Sequence, residues 1–185
     1  MIDTALATIK DELGAFIWGL PEFNLPDSAD IVELSSIVKP NGQSAMKAET
    51  LIITLANIEE ERANKLQRSV AVAPDGKVSQ MNPEIRLNVY LIIIANFENY
   101  LTGLKYLSAV VRFFQSKCVF TRQNTPSIDP SIDKLLMDLY TLTFEQQNHL
   151  WASLGVKYQP SVVYKLRLIP VQDAIKLSDA PPRKN

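Results

Sequence analysis

At 185 residues and 46% hydrophobic, the chain is long enough to bury one core without disulfides or metals, and its single cysteine excludes an internal bridge or a Cys-based zinc site. Nineteen basic against 20 acidic side chains, with no long run of either sign, give phosphate neutralisation little to work with and argue against nucleic acid as a partner. The longest apolar run, VYLIIIA, is far short of the roughly 20 residues of a membrane helix, so direct membrane insertion is not expected.

In chain order, Ile2, Leu6, Ile9, Leu13 and Phe16 recur at helical spacing opposite Lys10, Asp11 and Glu12, which predicts an amphipathic helix ended by Gly19 and Pro21. Acidic residues and the lack of a basic leader set this segment apart from a secretory signal. Residues 20–48 mix proline and glycine with one short apolar run, IVELSSIV, and predict a loop with an edge strand.

Thr50 to Ile58, TLIITLANI, predicts a strand, and the polar stretch after it carries the turn Pro74-Asp75-Gly76. An insertion loop or projecting hairpin is expected there, with Glu59 to Gln80 as a contact arm. Residues 85–97, IRLNVYLIIIANF, alternate at first, with Ile85, Leu87, Val89 and Leu91 on one face, and then turn apolar on both faces as a central strand does. Asn96 is expected to cap a helix of about five turns in which Phe97, Leu101, Leu104, Ser108 and Val111 form the ridge packed on the sheet, widened by Tyr100, Leu107 and Phe114.

SIDKLLMDLYTLT predicts another strand, Thr143 with Gln146 a capping box, and Gly155 the end of the short helix between. In the last strand, PSVVYKLRLIPV, Tyr164, Leu166 and Leu168 face one way and Lys165 and Arg167 the other. The tail KLSDAPPRKN has too little apolar content to order itself. The expected architecture is α+β: a single mixed sheet packed with about three helices over residues 1–175, and a flexible tail over 176–185.

Chemical candidates are sparse. Cys118 as a nucleophile needs a base, and the only histidine, His149, lies on another predicted helix, so a buried structural cysteine and a half-buried helical histidine are expected. Glu59, Glu60 and Glu61 leave a strand pointing to different sides and read as a solvated cluster. No P-loop, G-x-G-x-x-G or G-x-S-x-G motif is present. Lys117, near a helix C-terminus, is explained by the helix dipole. No catalytic, metal or cofactor site is expected.

Four blocks, MIDTALATIKDEL, LANIEEER, GLKYLSAVVRFFQSKCVFTRQNTP and LTFEQQNHLWASLGVKYQPSVVYKLRLI, together resemble the tail-terminator, or cap, proteins of phage-tail-like contractile injection systems. The likeness runs in order along nearly the whole chain. It implies a non-enzymatic α+β subunit that assembles with itself as a hexameric ring on the distal end of the inner tube, stops tube growth and holds the sheath. Partners are then other copies, inner tube protein and sheath protein. The single cysteine and the lack of a secretory signal predict assembly in a reducing cytoplasm, and the resemblance implies that this cytoplasm is bacterial and that the subunit then joins the particle. A baseplate or tube-adaptor component is the alternative, and an enzyme using Cys118 and His149 is a third reading. Some family members carry a further C-terminal domain. For contacts within such an assembly the expected residues are Glu59, Glu60, Glu61 and Arg62 at the start of the arm, and Arg112, Gln115, Arg122 and Gln123 around the second helix and the turn that leaves it.

Overall fold

The computed structural model describes residues 1–26, 30–61, 69–72, 78–81, 86–170 and 176–179. The first helix, α1 (Ile2–Trp18), buries Ala5, Ile9, Leu13 and Ile17 and ends at Gly19, and a 3-10 turn, Pro21–Phe23, redirects the chain. Strands β1 (Val32–Leu34), β2 (Thr50–Glu60), β5 (Leu87–Asn96), β6 (Val119–Thr121), β7 (Ile132–Leu139) and β8 (Ser161–Pro170) form one six-stranded sheet in the order β1-β2-β5-β8-β7-β6. Only β1 runs parallel to its neighbour, so the sheet is mixed, as the sequence implies. The run IVELSSIV does supply an edge strand, β1. The opposite edge, β6, is not anticipated by the sequence reading, because three residues are too few to show a period.

Each face of the sheet has its own cover. Leu51, Ile53, Val89, Leu91, Ile93, Tyr164, Leu166 and Leu168 point to one side and pack with α1 and with α2 (Tyr100–Ser116). Ile52, Ile92 and Ile94 point to the other, where they meet Ile37 and Trp151 of α3 (Phe144–Leu154). The alternation read along the third and last predicted strands is therefore the division between two cores, and each fully buried aliphatic side chain contributes about 1.5–3 kcal/mol of transfer free energy. Ile85, expected in that alternation, lies outside the described residues.

The second helix corrects two expectations. Its N-cap is Asn99, whose side chain accepts a hydrogen bond from the Thr102 amide at 3.0 Å. Asn96 instead ends β5 and donates to the Lys47 carbonyl at 2.7 Å. The face turned to the sheet is Gly103, Tyr106, Leu107, Ala109, Val110, Phe113 and Phe114, while Tyr100, Leu101, Leu104 and Val111, placed in the expected ridge, are exposed. Rings decide the rotation. Tyr106 stacks on Phe23 at 4.2 Å and on Phe97 at 4.4 Å, and Phe113 meets Phe16 at 5.1 Å, so the buried side of the helix is the one that finds aromatic partners.

α3 follows the sequence reading. Thr143 and Gln146 form the reciprocal capping box, and Gly155 ends the helix with φ of 67°, a left-handed conformation that costs glycine nothing. The polar stretch after β2 contains the antiparallel pair β3 (Ser69–Val72) and β4 (Val78–Met81). In the tail expected to be flexible, Lys176–Asp179 forms β9, antiparallel to β4, giving a separate three-stranded sheet. Backbone pairing to an available edge needs no apolar side chains, which is why composition does not foreshadow this strand.

Candidate protein interface

The expected contact residues are distributed over three places. Glu59 is exposed near the end of β2 and accepts a 2.9 Å hydrogen bond from the Tyr90 hydroxyl. Burial first, and this carboxylate second, push the Tyr90 phenol up to about 12. Glu60 is half-buried at the end of the same strand, and Glu61 accepts from the Asn88 amide at 3.0 Å. Arg62 lies outside the described residues. Tyr90 and Glu59 line one wall of a hollow of about 230 Å3 that Asn57, Tyr140 and Leu150 complete.

Around α2, two of the four expected residues are engaged inside the subunit. The Arg112 guanidinium bonds Glu22 at 2.6 Å, lowering that carboxyl from its ordinary range, and lies 5.7 Å from the centre of the Phe16 ring. Arg122 donates to the Pro130 carbonyl oxygen. These side chains fasten a helix to the Pro21–Phe23 turn and close the turn between β6 and β7. Gln115 and Gln123 are exposed, Gln115 on the outer face of α2 and Gln123 in the β6–β7 turn beside Asp133 and Lys134. The β6–β7 turn is shaped by Asn124, which accepts from the Thr121 amide and donates to the Val119 carbonyl, both at 2.8 Å.

Cys118 and His149 are both exposed, against the expectation of a buried thiol and a half-buried imidazole. Cys118 falls in the two-residue gap between α2 and β6, where the chain leaves the core before re-entering it at Phe120. His149 belongs to α3, which covers the other face of the sheet. Among the described residues no group of three or more His, Cys, Asp or Glu side chains is placed to hold a metal ion. None of the described helices is long and apolar enough to cross a membrane.

What sequence reasoning missed is apolar. On α2, Tyr100 is 64% and Leu101 67% exposed, and Leu104 and Val111 continue the stripe along the helix. On the other side of the sheet Phe144, at the first position of α3, is 92% exposed. It stands at the mouth of a groove of about 600 Å3 lined by Gln147, Asn148, Trp151, Val156 and Tyr158. Trp151 forms the floor and holds Tyr158 edge-on at 5.5 Å. Contiguous exposed apolar side chains on a folded surface mark contact sites. The signal for the α2 stripe is present in the sequence, since that helix is apolar over more of its circumference than one buried face requires.

The Pvc16 N-terminal domain family matches residues 4–185. Two solved structures share the fold over the whole of this chain: the sheath/tube terminator of PVC, an extracellular contractile injection system, in its extended state (TM-score 0.62, 14% identity), and the anti-feeding prophage cap, the AFP tube terminating cap (TM-score 0.59, 13% identity). The chain spans 61% and 60% of their respective lengths. Among curated proteins none matches.

Proposed function

We propose a function from one premise: the chain belongs to the Pvc16 N-terminal domain family. It serves as a cap subunit of a contractile injection particle, six copies forming a ring on the distal end of the inner tube, where they end tube growth and anchor the sheath. The observation that carries this reading is the family match across residues 4–185. The shared fold with a sheath/tube terminator and a tube terminating cap supports it.

The role is one of binding without chemistry. Ring closure needs two complementary patches on each subunit, because a cyclic contact is heterologous. Tube and sheath are the other partners, with the segment Glu59 to Gln80 as an arm toward one of them. Subunits assemble in the bacterial cytoplasm and then become part of the particle. Electron microscopy of particles carrying a labelled copy tests the reading. Label at one end of the tube, opposite the baseplate, is the expected result, and label at the baseplate or along the tube overturns it.

A further inference from the structure

The two exposed apolar patches lie on opposite faces of the sheet, one on α2 and one on α3. We propose that they are the two halves of one contact: the outer stripe of α2 in one copy seats in the α3 groove of the next, and repetition of this contact closes the ring. This rests on the cap reading and assigns its lateral surface.

Three features favour a second copy as the occupant. The first is position, since a head-to-tail contact needs two different patches facing in different directions, whereas a two-fold dimer would cover one patch and leave the other in water. The second is shape. Leu101, Leu104 and Val111 follow one another at helical spacing as a ridge, and the groove beside Phe144 and Tyr158 is an open seat with an aromatic floor, the kind of site that receives the apolar face of a helix. The third is charge. Lys105 flanks the α2 stripe and Glu98 precedes it, while Glu145 follows Phe144 and Lys157 precedes Tyr158, and all four are exposed. Arg112, beside Val111, is held by Glu22 within its own subunit, which leaves Lys105 and Glu98 at the stripe and Glu145 and Lys157 at the groove as opposite charges, and the proposed contact sets Lys105 toward Glu145 and Glu98 toward Lys157. Such rim pairs select register more than they add affinity. Phe144 is the anchor, because the contact would take this 92% exposed ring at the groove mouth out of water, and a desolvated aromatic ring carries a disproportionate share of binding free energy.

The test uses two full-length variants, Leu101→Glu and Phe144→Glu, with oligomeric size measured by light scattering alone and in the presence of tube protein. Both sites are exposed, so thermal unfolding should match the parent. Each variant alone should show self-association weakened by about 30-fold or more, as loss of an interface anchor does. An equimolar mixture should give dimers and nothing larger, because one variant keeps its groove and the other its stripe. Lys105→Glu should likewise be rescued by Glu145→Lys. Rings that survive both variants, a mixture that stays monomeric, or variants that keep the ring and lose only the tube would each overturn the assigned contact. A parent protein that neither self-associates nor binds tube ends would instead overturn the cap reading itself.

Discussion

The Lys117 ammonium lies 2.6 Å from the Glu12 carboxylate and 3.0 Å from the Asn124 carbonyl oxygen, so one side chain joins the end of α2 to α1 and to the turn after β6. It also stands 5.1 Å from the centre of the Phe120 ring. Both charged side chains are about a quarter exposed, which leaves the pair only partly screened by water. A double-mutant cycle on Glu12→Gln and Lys117→Met in urea should give a coupling of about 0.5–1 kcal/mol, with the Lys117 change alone costing about 1–2 kcal/mol because the Asn124 carbonyl also loses its donor. Independent, additive effects would show that the contact adds no stability.

This lysine illustrates what a sequence does and does not disclose. Its place near a helix C-terminus is legible, and so is the bland dipole role, but a partner 105 residues away in another helix is not. The same holds for Arg112 and Glu22, 90 residues apart, whose pairing takes an expected contact residue into internal service. Periodicity locates α1, β2, β5 and β8 because each has one dominant apolar face or a run buried on both. It misplaces the buried side of α2, since Leu101, Leu104 and Val111 satisfy the helical period as well as Tyr106, Val110 and Phe113 do. Only the rings supplied by Phe16, Phe23 and Phe97 break that tie. Local chemistry is read more securely than long-range contact, as the Thr143 capping box shows.

Stability should fall on the alkaline side through three tyrosines, Tyr164, Tyr90 and Tyr106, the last raised by burial first and by the Glu49 carboxylate second. Burial pushes the Tyr164 phenol from 10.0 up to about 12, and burial with the Glu59 carboxylate does the same to Tyr90. A group whose folded pKa is raised holds its proton more tightly in the native state, so its stabilisation is complete below pH 10 and is lost as pH rises toward 12. Denaturant midpoints should drop through that window, and ultraviolet titration should show three late-ionising phenols in the native protein. Tyr164→Phe should remove part of the alkaline slope, and an unchanged slope would contradict the assignment. Glu59→Gln should return Tyr90 toward its ordinary range without abolishing the burial effect.

The exposed Cys118 predicts a simple accessibility result. A thiol outside the core reacts with a soluble disulfide reagent without prior unfolding, so the native rate should lie within about tenfold of that in denaturant. Cys118→Ser should fold like the parent, with a stability change inside about 0.5 kcal/mol, the usual range for a surface site. Sluggish native labelling, or marked destabilisation by serine, would return the cysteine to the interior. Loss of particle assembly by a well-folded Cys118→Ser, His149→Gln variant would revive a chemical role for the pair.

The decisive biological expectation is mechanical. A growing tube exposes at its end the surface that recruited its last ring, and growth stops only when a subunit binds that surface without offering an equivalent one in return. A cap is such a dead-end binder, and its symmetry lets weak single contacts sum to firm attachment through effective concentration. Deleting the gene should therefore broaden the distribution of tube lengths and leave sheaths poorly held. Supplying the Phe144→Glu variant should reproduce that phenotype if the ring is needed for capping, while the Cys118→Ser protein should restore uniform particles. Electron micrographs of the deletion strain showing uniform lengths and normal sheaths would remove the cap role. Uniform particles in a strain carrying only the Phe144→Glu variant would leave capping in place and remove the dependence on the α2–α3 contact.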